Sequence, residues 1–386
     1  MSSETIASIN FQDLMLHRIH EILLVASPYD AFILEEDGRL TQQILYEYLG
    51  MNLSYAPRVW HAKNATIGLQ MLSDRSYDLV IVMMRIADMD PITFGEKVKE
   101  SFPDKPIILL AFDESEITHL PEKRLEKIID KIFIWSGNAN VFPAIIKNIE
   151  DKMNLHRDYK IADIRAIIVV EDNPRYYSII LPLIYRTALK HARDLIDKSL
   201  SDIDRLLLFR ARPKIILASS YEQATDYYHK YRHNILGFIS DVRFPKNGKL
   251  NSHAGVELIE YIRQKDSDMP IVLQSTKQVY SKDAKKVKAA FIYKKSPTLL
   301  QDLEDFIVNN FGFGDFIFRN LRGKEISRAT DLSGFRKSLK KISIKSLEYH
   351  ASKNHFSNWL AVRLSLIHIS EPTRRTPISY AVFCLK

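Results

Sequence analysis

The chain has 386 residues, 46% hydrophobic and 26% charged, with 15 Pro, 12 Gly and one Cys, enough for two or three globular domains that each bury a core. This excludes disordered, collagen-like and coiled-coil readings, and a single Cys excludes an internal disulfide framework. No apolar run approaches the roughly 20 residues of a membrane-spanning helix, and a net charge of +8 from 55 basic and 47 acidic residues comes without any Lys/Arg block resembling a nucleic-acid arm. The N-terminal stretch has no basic segment ahead of an apolar one. A cytoplasmic protein with no membrane and no nucleic-acid partner is expected.

In chain order, short apolar runs without polar alternation read as strands buried on both faces of a parallel sheet. They are Ile22 to Val25, Leu79 to Val82, Ile107 to Leu110 and Ile132 to Ile134. The same order then repeats as Ile167 to Val170, Ile215 to Leu217, Leu236 to Ile239, Ile271 to Leu273 and Phe291 to Ile292, an internal repeat. Intervening stretches such as Ala254 to Arg263 have helical spacing, so each copy predicts a doubly wound sheet with right-handed crossovers. YDLVIVMMRIADMDP (77–91) overlays HNILGFISDVRFP (233–245), KPIILLAF (105–112) overlays MPIVLQST (269–276), and KIFIWS (131–136) overlays AAFIYK (289–294). The boundary is placed in the polar stretch His156 to Asp163, and additional residues in the second copy, Leu181 to Arg210, predict a lengthened first helix.

Ligands of an open parallel sheet bind at the carboxyl ends of its strands. In the second copy, Glu171 and Asp172 follow the first strand, Asp241 the third, Ser275 and Thr276 the fourth, and Lys294 and Lys295 the fifth. Three crowded carboxylates raise one another's pKa unless a cation joins them, and oxygen-only ligation suits Mg²⁺. A carboxylate beside that metal can attack a phosphoryl donor in line, while an ammonium and a hydroxyl hold the phosphoryl oxygens. A lone Asp after a strand is more often a helix cap; five such groups at four strand ends point to a site.

The runs IIVVEDN, FISDVRFP, PIVLQST and FIYK resemble the receiver domain of two-component response regulators, over roughly Arg165 to Gly312. The resemblance implies two flavodoxin-like doubly wound (βα)5 domains with parallel five-stranded sheets. It also implies an acidic pocket of Glu171 and Asp172, a phosphoacceptor Asp241, a switch hydroxyl Ser275 and a conserved lysine Lys294. Arg243 would offer Mg²⁺ its backbone carbonyl, Pro245 matches the loop proline, and Phe291 matches the aromatic switch position. Two departures stand out: Pro297 comes three residues after the lysine, where the family has a proline next to it, and the loop Lys246 to Ala254 is longer than usual. The implied partners are a histidine kinase or phosphotransfer protein, with room for a homodimer.

The corresponding residues of the first copy are Ala26, Ser27, Met83, Ala111 and Ser136. With no carboxylates and no lysine, the first copy resembles a pseudo-receiver, expected to serve in docking. Asp88 and Asp90 are expected as turn or helix-cap residues.

From Phe313 the pattern changes to a mostly helical connector. Lys337 to Lys345 reads as a solvated basic helix face, and His350 and His355 lack further ligands at metal spacing. YHASKNHFSNWLAVR resembles the junction that, in some bacterial proteins, follows paired receivers and precedes a phosphoenolpyruvate synthase or pyruvate phosphate dikinase-like ATP-binding domain. No phosphate-cradling loop of that domain is present. The expected domains are therefore 1–155, a pseudo-receiver; 163–312, a receiver; and 313–363, a connector to an output domain that this chain lacks.

The remaining stretch, 364–386, looks like the translation of a sequencing-library adapter joined after Arg363 and is left out of fold reasoning. Without it Arg374, Arg375, Lys386 and Glu371 are gone, so +8 becomes +6, and the only Cys, Cys384, goes too. The expected function is phosphorelay signalling through Asp241, with no enzymatic activity beyond self-phosphorylation and dephosphorylation. The alternative is the regulatory front end of a phosphoenolpyruvate synthase-like phosphotransferase. A metal-dependent phosphatase would need an Asp two residues after Asp241, where Arg243 stands.

Overall fold

The computed structural model describes residues 14–37, 40–50, 56–137, 139–162, 164–194, 212–352, 355–357, 359–360 and 362. The first sheet comprises β1 (Glu21–Val25), β2 (Arg58–Ala62), β3 (Leu79–Met83), β4 (Ile107–Ala111) and β5 (Lys131–Ile134), in the order β2-β1-β3-β4-β5. Between them run α1 (Pro28–Phe32), a π-helical turn at Ile33–Asp37, α2 (Leu40–Gly50), α3 (Ala65–Asp74), α4 (Pro91–Ser101), α5 (Glu114–Ile117) and α6 (Glu122–Ile128), and α7 (Val141–Ala162) follows. The second sheet holds β6 (Ala166–Val170), β7 (Lys214–Ala218), β8 (Ile235–Asp241), β11 (Ile271–Ser275) and β12 (Ala290–Tyr293), in the order β12-β11-β8-β6-β7. Its helices are α8 (Pro174–Asp194), α9 (Tyr221–Tyr231), α10 (Ala254–Lys265), α11 (Ser281–Lys286) and α12 (Leu299–Asn310).

All neighbouring strands within each five-stranded sheet are parallel. Counted from the first strand of each copy, both orders read 2-1-3-4-5, the flavodoxin-like order. The apolar runs form the central strands because both faces are covered by helices; every residue of β3, β4, β6, β7 and β11 is buried. β2 gave no such signal. It is an edge strand whose Arg58, Trp60 and His61 are exposed, so it carries no apolar run.

Two local readings change, and a third is seen in part. The expected long loop after Asp241 contains a hairpin of β9 (Phe244–Lys246) and β10 (Lys249–Asn251). Asn247 and Gly248 make its two-residue turn with φ of 53° and 70°, the primed geometry that Asn-Gly favours. The polar stretch from His156 is the last part of α7 rather than a linker, and its Asp158 is buried. The lengthened helix is present as α8 through Asp194; the rest of Leu181 to Arg210, up to residue 211, lies outside the described residues.

The copies are joined through one apolar core that runs from the first sheet across α7 and α8 to the second. Buried ions cross the same junction. Arg212 grips Asp151 of α7 with two bonds of 2.8 and 2.9 Å, Asp151 also accepts the Ile215 amide, and Lys214 pairs with Asp158 at 2.7 Å. The outer edge of β5 is capped by α8: the Ile134 amide donates to Ser178 Oγ at 2.9 Å and the Tyr177 hydroxyl donates to the Ile132 carbonyl. An open strand edge is thereby closed.

The segment after Gly312 contains an antiparallel hairpin, β13 (Phe316–Arg319) with β14 (Glu325–Ala329), and helices α13 (Leu332–Leu339) and α14 (Ile344–Ala351). Phe316, Phe318, Phe335, Phe356 and Trp359 form a small aromatic core of its own. Lys337, Lys340, Lys341 and Lys345 are exposed. His350 Nε2 accepts the Arg319 amide at 2.8 Å, and its Nδ1 lies 2.9 Å from Nδ1 of His355. Among the described residues, no helix is long and apolar enough to cross a membrane.

Candidate functional site

The site forms where the parallel register brings strand ends of the second sheet level. Val170 pairs with Ala218 on one side and Ser240 on the other, and Asp241 pairs with Gln274. Glu171, Asp172 and Asp241 therefore emerge at one edge, and one oxygen from each lies within 4.8 Å of the others. Among the described residues this is the one cluster of acidic or other metal-ligating groups of that kind. The Glu171 amide bonds to the Ala218 carbonyl at 3.0 Å, and its Oε1 accepts the Asn173 amide at 3.2 Å. Asp241 Oδ1 accepts the Val242 amide at 2.8 Å. Gly255 lets α10 approach this turn, because a Cβ there would sit 2.1 Å from the Asp241 carbonyl oxygen.

Lys294 closes the cluster. Its amide continues the ladder to the Ser275 carbonyl at 2.8 Å, and its ammonium lies 2.5 Å from Glu171 Oε2 and 3.1 Å from Asp241 Oδ1. The ammonium also lies 4.1 Å from the centre of the Tyr176 ring, a cation–π contact that sequence reasoning missed because Tyr176 lies beyond the strand end. Lys295 is exposed. Ser275 is buried at the end of β11, where its hydroxyl accepts the Lys277 amide at 3.2 Å. Arg243 is exposed, and Phe291 is half-buried against the core under α9 and α10.

The electrostatics follow from burial. Burial pushes the Glu171 carboxyl well above the usual carboxylate range, with Lys294 pulling against it and Asp241 adding to it. Asp172 is pushed up to about 6, first by burial, with the Asp241 charge adding to it. Burial works against the Lys294 ammonium, but the Glu171 and Asp241 carboxylates outweigh it and its pKa is raised. Three oxygen donors, two of them reached by solvent and two of them, Glu171 and Asp172, held back from ionising by burial, fit a hard divalent cation, which would relieve the repulsion and displace the protons.

No protein-family model and no curated protein matches the chain. Solved receiver domains are similar to about a third of it. One is the response regulator TrrA from Thermotoga maritima in complex with Mg²⁺ and a beryllium fluoride, 18% identical, matched over 33% of this chain and 97% of that one with a TM-score of 0.27. Another is the signal receiver domain of an HD domain-containing protein from Pseudomonas fluorescens, 23% identical over 37% and 99%, TM-score 0.27. A third is the signal receiver domain of a histidine kinase from Syntrophus aciditrophicus, 22% identical over 34% and 91%, TM-score 0.27.

At the first sheet the matching positions are apolar, although Asp30 and the Arg85–Glu116 pair lie close by. Ala26, Met83 and Ala111 are buried there. The residue that occupies the place of Lys294 is Trp135, not the predicted Ser136: the Trp135 amide bonds to the Ala111 carbonyl as Lys294 bonds to that of Ser275. Overlaying the texts slipped by one residue, which in a strand exchanges the two faces. Asp88 accepts the amides of Ala65 and Thr66, and Asp90 those of Ile92 and Thr93, so both cap helices as expected.

Proposed function

We propose that residues 163–312 are a Mg²⁺-dependent phosphoryl-accepting receiver, with Asp241 as acceptor, and that the chain serves phosphorelay signalling. The convergence of Glu171, Asp172 and Asp241 with the Lys294 ammonium carries this reading. Glu171, Asp172, Asp241 and the backbone carbonyl of Arg243 would hold the metal. Bound Mg²⁺ would supply positive charge to the phosphoryl oxygens. Asp241 forms the new O–P bond as the bond to the donor's leaving group breaks, and Lys294 turns from Glu171 toward the transferred charge. Ser275 and Phe291 are the groups on neighbouring strands placed to follow it, carrying the change to the surface around β11 and β12. The donor would be a phosphohistidine on a kinase or phosphotransfer protein; the first copy, residues 1–155, would act by docking, and residues 313–363 would connect to an output.

Incubation with an acyl phosphate and Mg²⁺, followed by intact-mass analysis, tests this. One phosphoryl group, labile in acid and in base as an acyl phosphate is, is expected on the full chain and none on Asp241→Asn; labelling that persists in Asp241→Asn rules the assignment out.

A further inference from the structure

Docking of the two copies places a charge of the first at the acid site of the second. Lys131 opens β5, and its ammonium hydrogen-bonds to Ser219 Oγ and lies 5.9 Å from the centre of the Tyr177 ring. Ser219 directly follows β7, and the Ala218 carbonyl before it is the partner of the Glu171 amide. Lys131 thus reaches over the carboxyl edge of the second sheet one strand away from Glu171 and Asp172, and the Asp172 charge acts on it. Its backbone is held in that position, because Ile132 and Ile134 are bonded to Tyr177 and Ser178 at the start of α8.

Asp172 and Asp130 are the two carboxylates whose charges act on it. The nearest acid in sequence, Asp130, is bonded to Lys99, Lys152 and the Ile107 amide, and the hydrogen bond of Lys131 goes to a neutral hydroxyl. Burial lowers its pKa to about 8, with Lys152 adding and Asp172 and then Asp130 opposing, so the ammonium is held at a cost and remains cationic at neutral pH.

We infer that Lys131 of the first copy is a positioning residue for the acid site of the second, where its positive charge opposes a divalent cation and makes metal loading depend on docking. The inference rests on the metal reading above. It assigns the first copy, which has no such acid cluster among its described residues, an electrostatic part in the site of its neighbour.

Titrating the full chain with MgCl₂ by calorimetry at pH 7 tests the idea. Lys131→Gln, which can keep the Ser219 hydrogen bond without the charge, and Lys131→Met are both expected to bind Mg²⁺ roughly three- to tenfold more tightly than the wild type. Lys131→Arg, which keeps the charge, should stay near wild-type affinity, a rescue that a purely packing role would not produce. Unchanged affinity in both neutral variants, with Mg²⁺ still bound by the wild type, overturns the inference and leaves the metal site standing. Failure of wild type and variants alike to bind Mg²⁺ overturns the metal reading and the inference with it.

Discussion

Asp241 ends β8 with its side chain 14% exposed, paired with a lysine; at the equivalent place Met83 ends β3, 1% exposed and part of a core. The neighbours follow suit. Glu171 and Lys294 stand where the first copy has Ala26 and Trp135, all four of them buried. One strand order thus supports two opposite edges. The first edge puts Ala26, Met83 and Trp135 into the core. The charged edge buries a carboxylate that resists ionisation, offset by one short ion pair. The fold does not require the site, and the site is tolerated because strands β6, β7 and β11 beneath it are fully buried.

The comparison breaks first at the junction. Asp151 is the common partner of Arg212, Tyr185 and the Ile215 amide, all buried. Asp151→Ala leaves the guanidinium uncompensated and should cost about 3–5 kcal/mol in denaturant unfolding. If the loss is near zero, the two copies are held by their apolar contacts alone. Next comes the attempt to make the first edge resemble the second. Met83→Asp places a carboxyl in a core with no lysine nearby; a loss of about 3 kcal/mol and no phosphoryl labelling at that position are expected. Labelling there would mean that a single Asp suffices.

A subtler effect concerns protons. Asp172 titrates near pH 6 in the folded chain, above its ordinary value of 3.8, so the stability that its protonated form contributes is present below pH 3.8 and lost as pH rises through 6. In that window protons compete with the metal. Mg²⁺ affinity should therefore increase by up to about tenfold per pH unit on approaching pH 6 from below and go on increasing above it while Glu171 still holds its proton, and the Mg²⁺-induced rise in melting temperature should grow in parallel. A flat profile from pH 5 to 7 would remove Asp172 from the ligand set. The smallest change expected is at the capped edge: Ser178→Ala leaves the Ile134 amide without its acceptor and should cost about 1–2 kcal/mol, read as faster hydrogen exchange in β5.

Much of this was legible in advance because buried parallel strands are written as unbroken apolar runs, and the residue after each run falls at one edge. That is why Asp241, Lys294 and the acidic pair could be named without coordinates. β2 escaped because an exposed edge strand has no such run. The hairpin after Asp241 was hidden in a loop, although its Asn-Gly turn was a usable signal. The counterpart of Lys294 was misplaced by one residue, because the strand ladder, not text similarity, sets register.

By itself the amino-acid sequence determined the doubly wound pattern, its duplication, and which copy carries acids and a lysine at the strand ends. Periodicity and residue chemistry are local properties, and these conclusions needed nothing else. Only the tertiary structure decided how the copies meet: that α7 carries buried acids to Arg212 and Lys214, that α8 closes the edge of β5, and that Lys131 reaches Ser219. Such contacts join residues 44 to 88 positions apart, and no local pattern encodes which distant partner will neutralise a given charge.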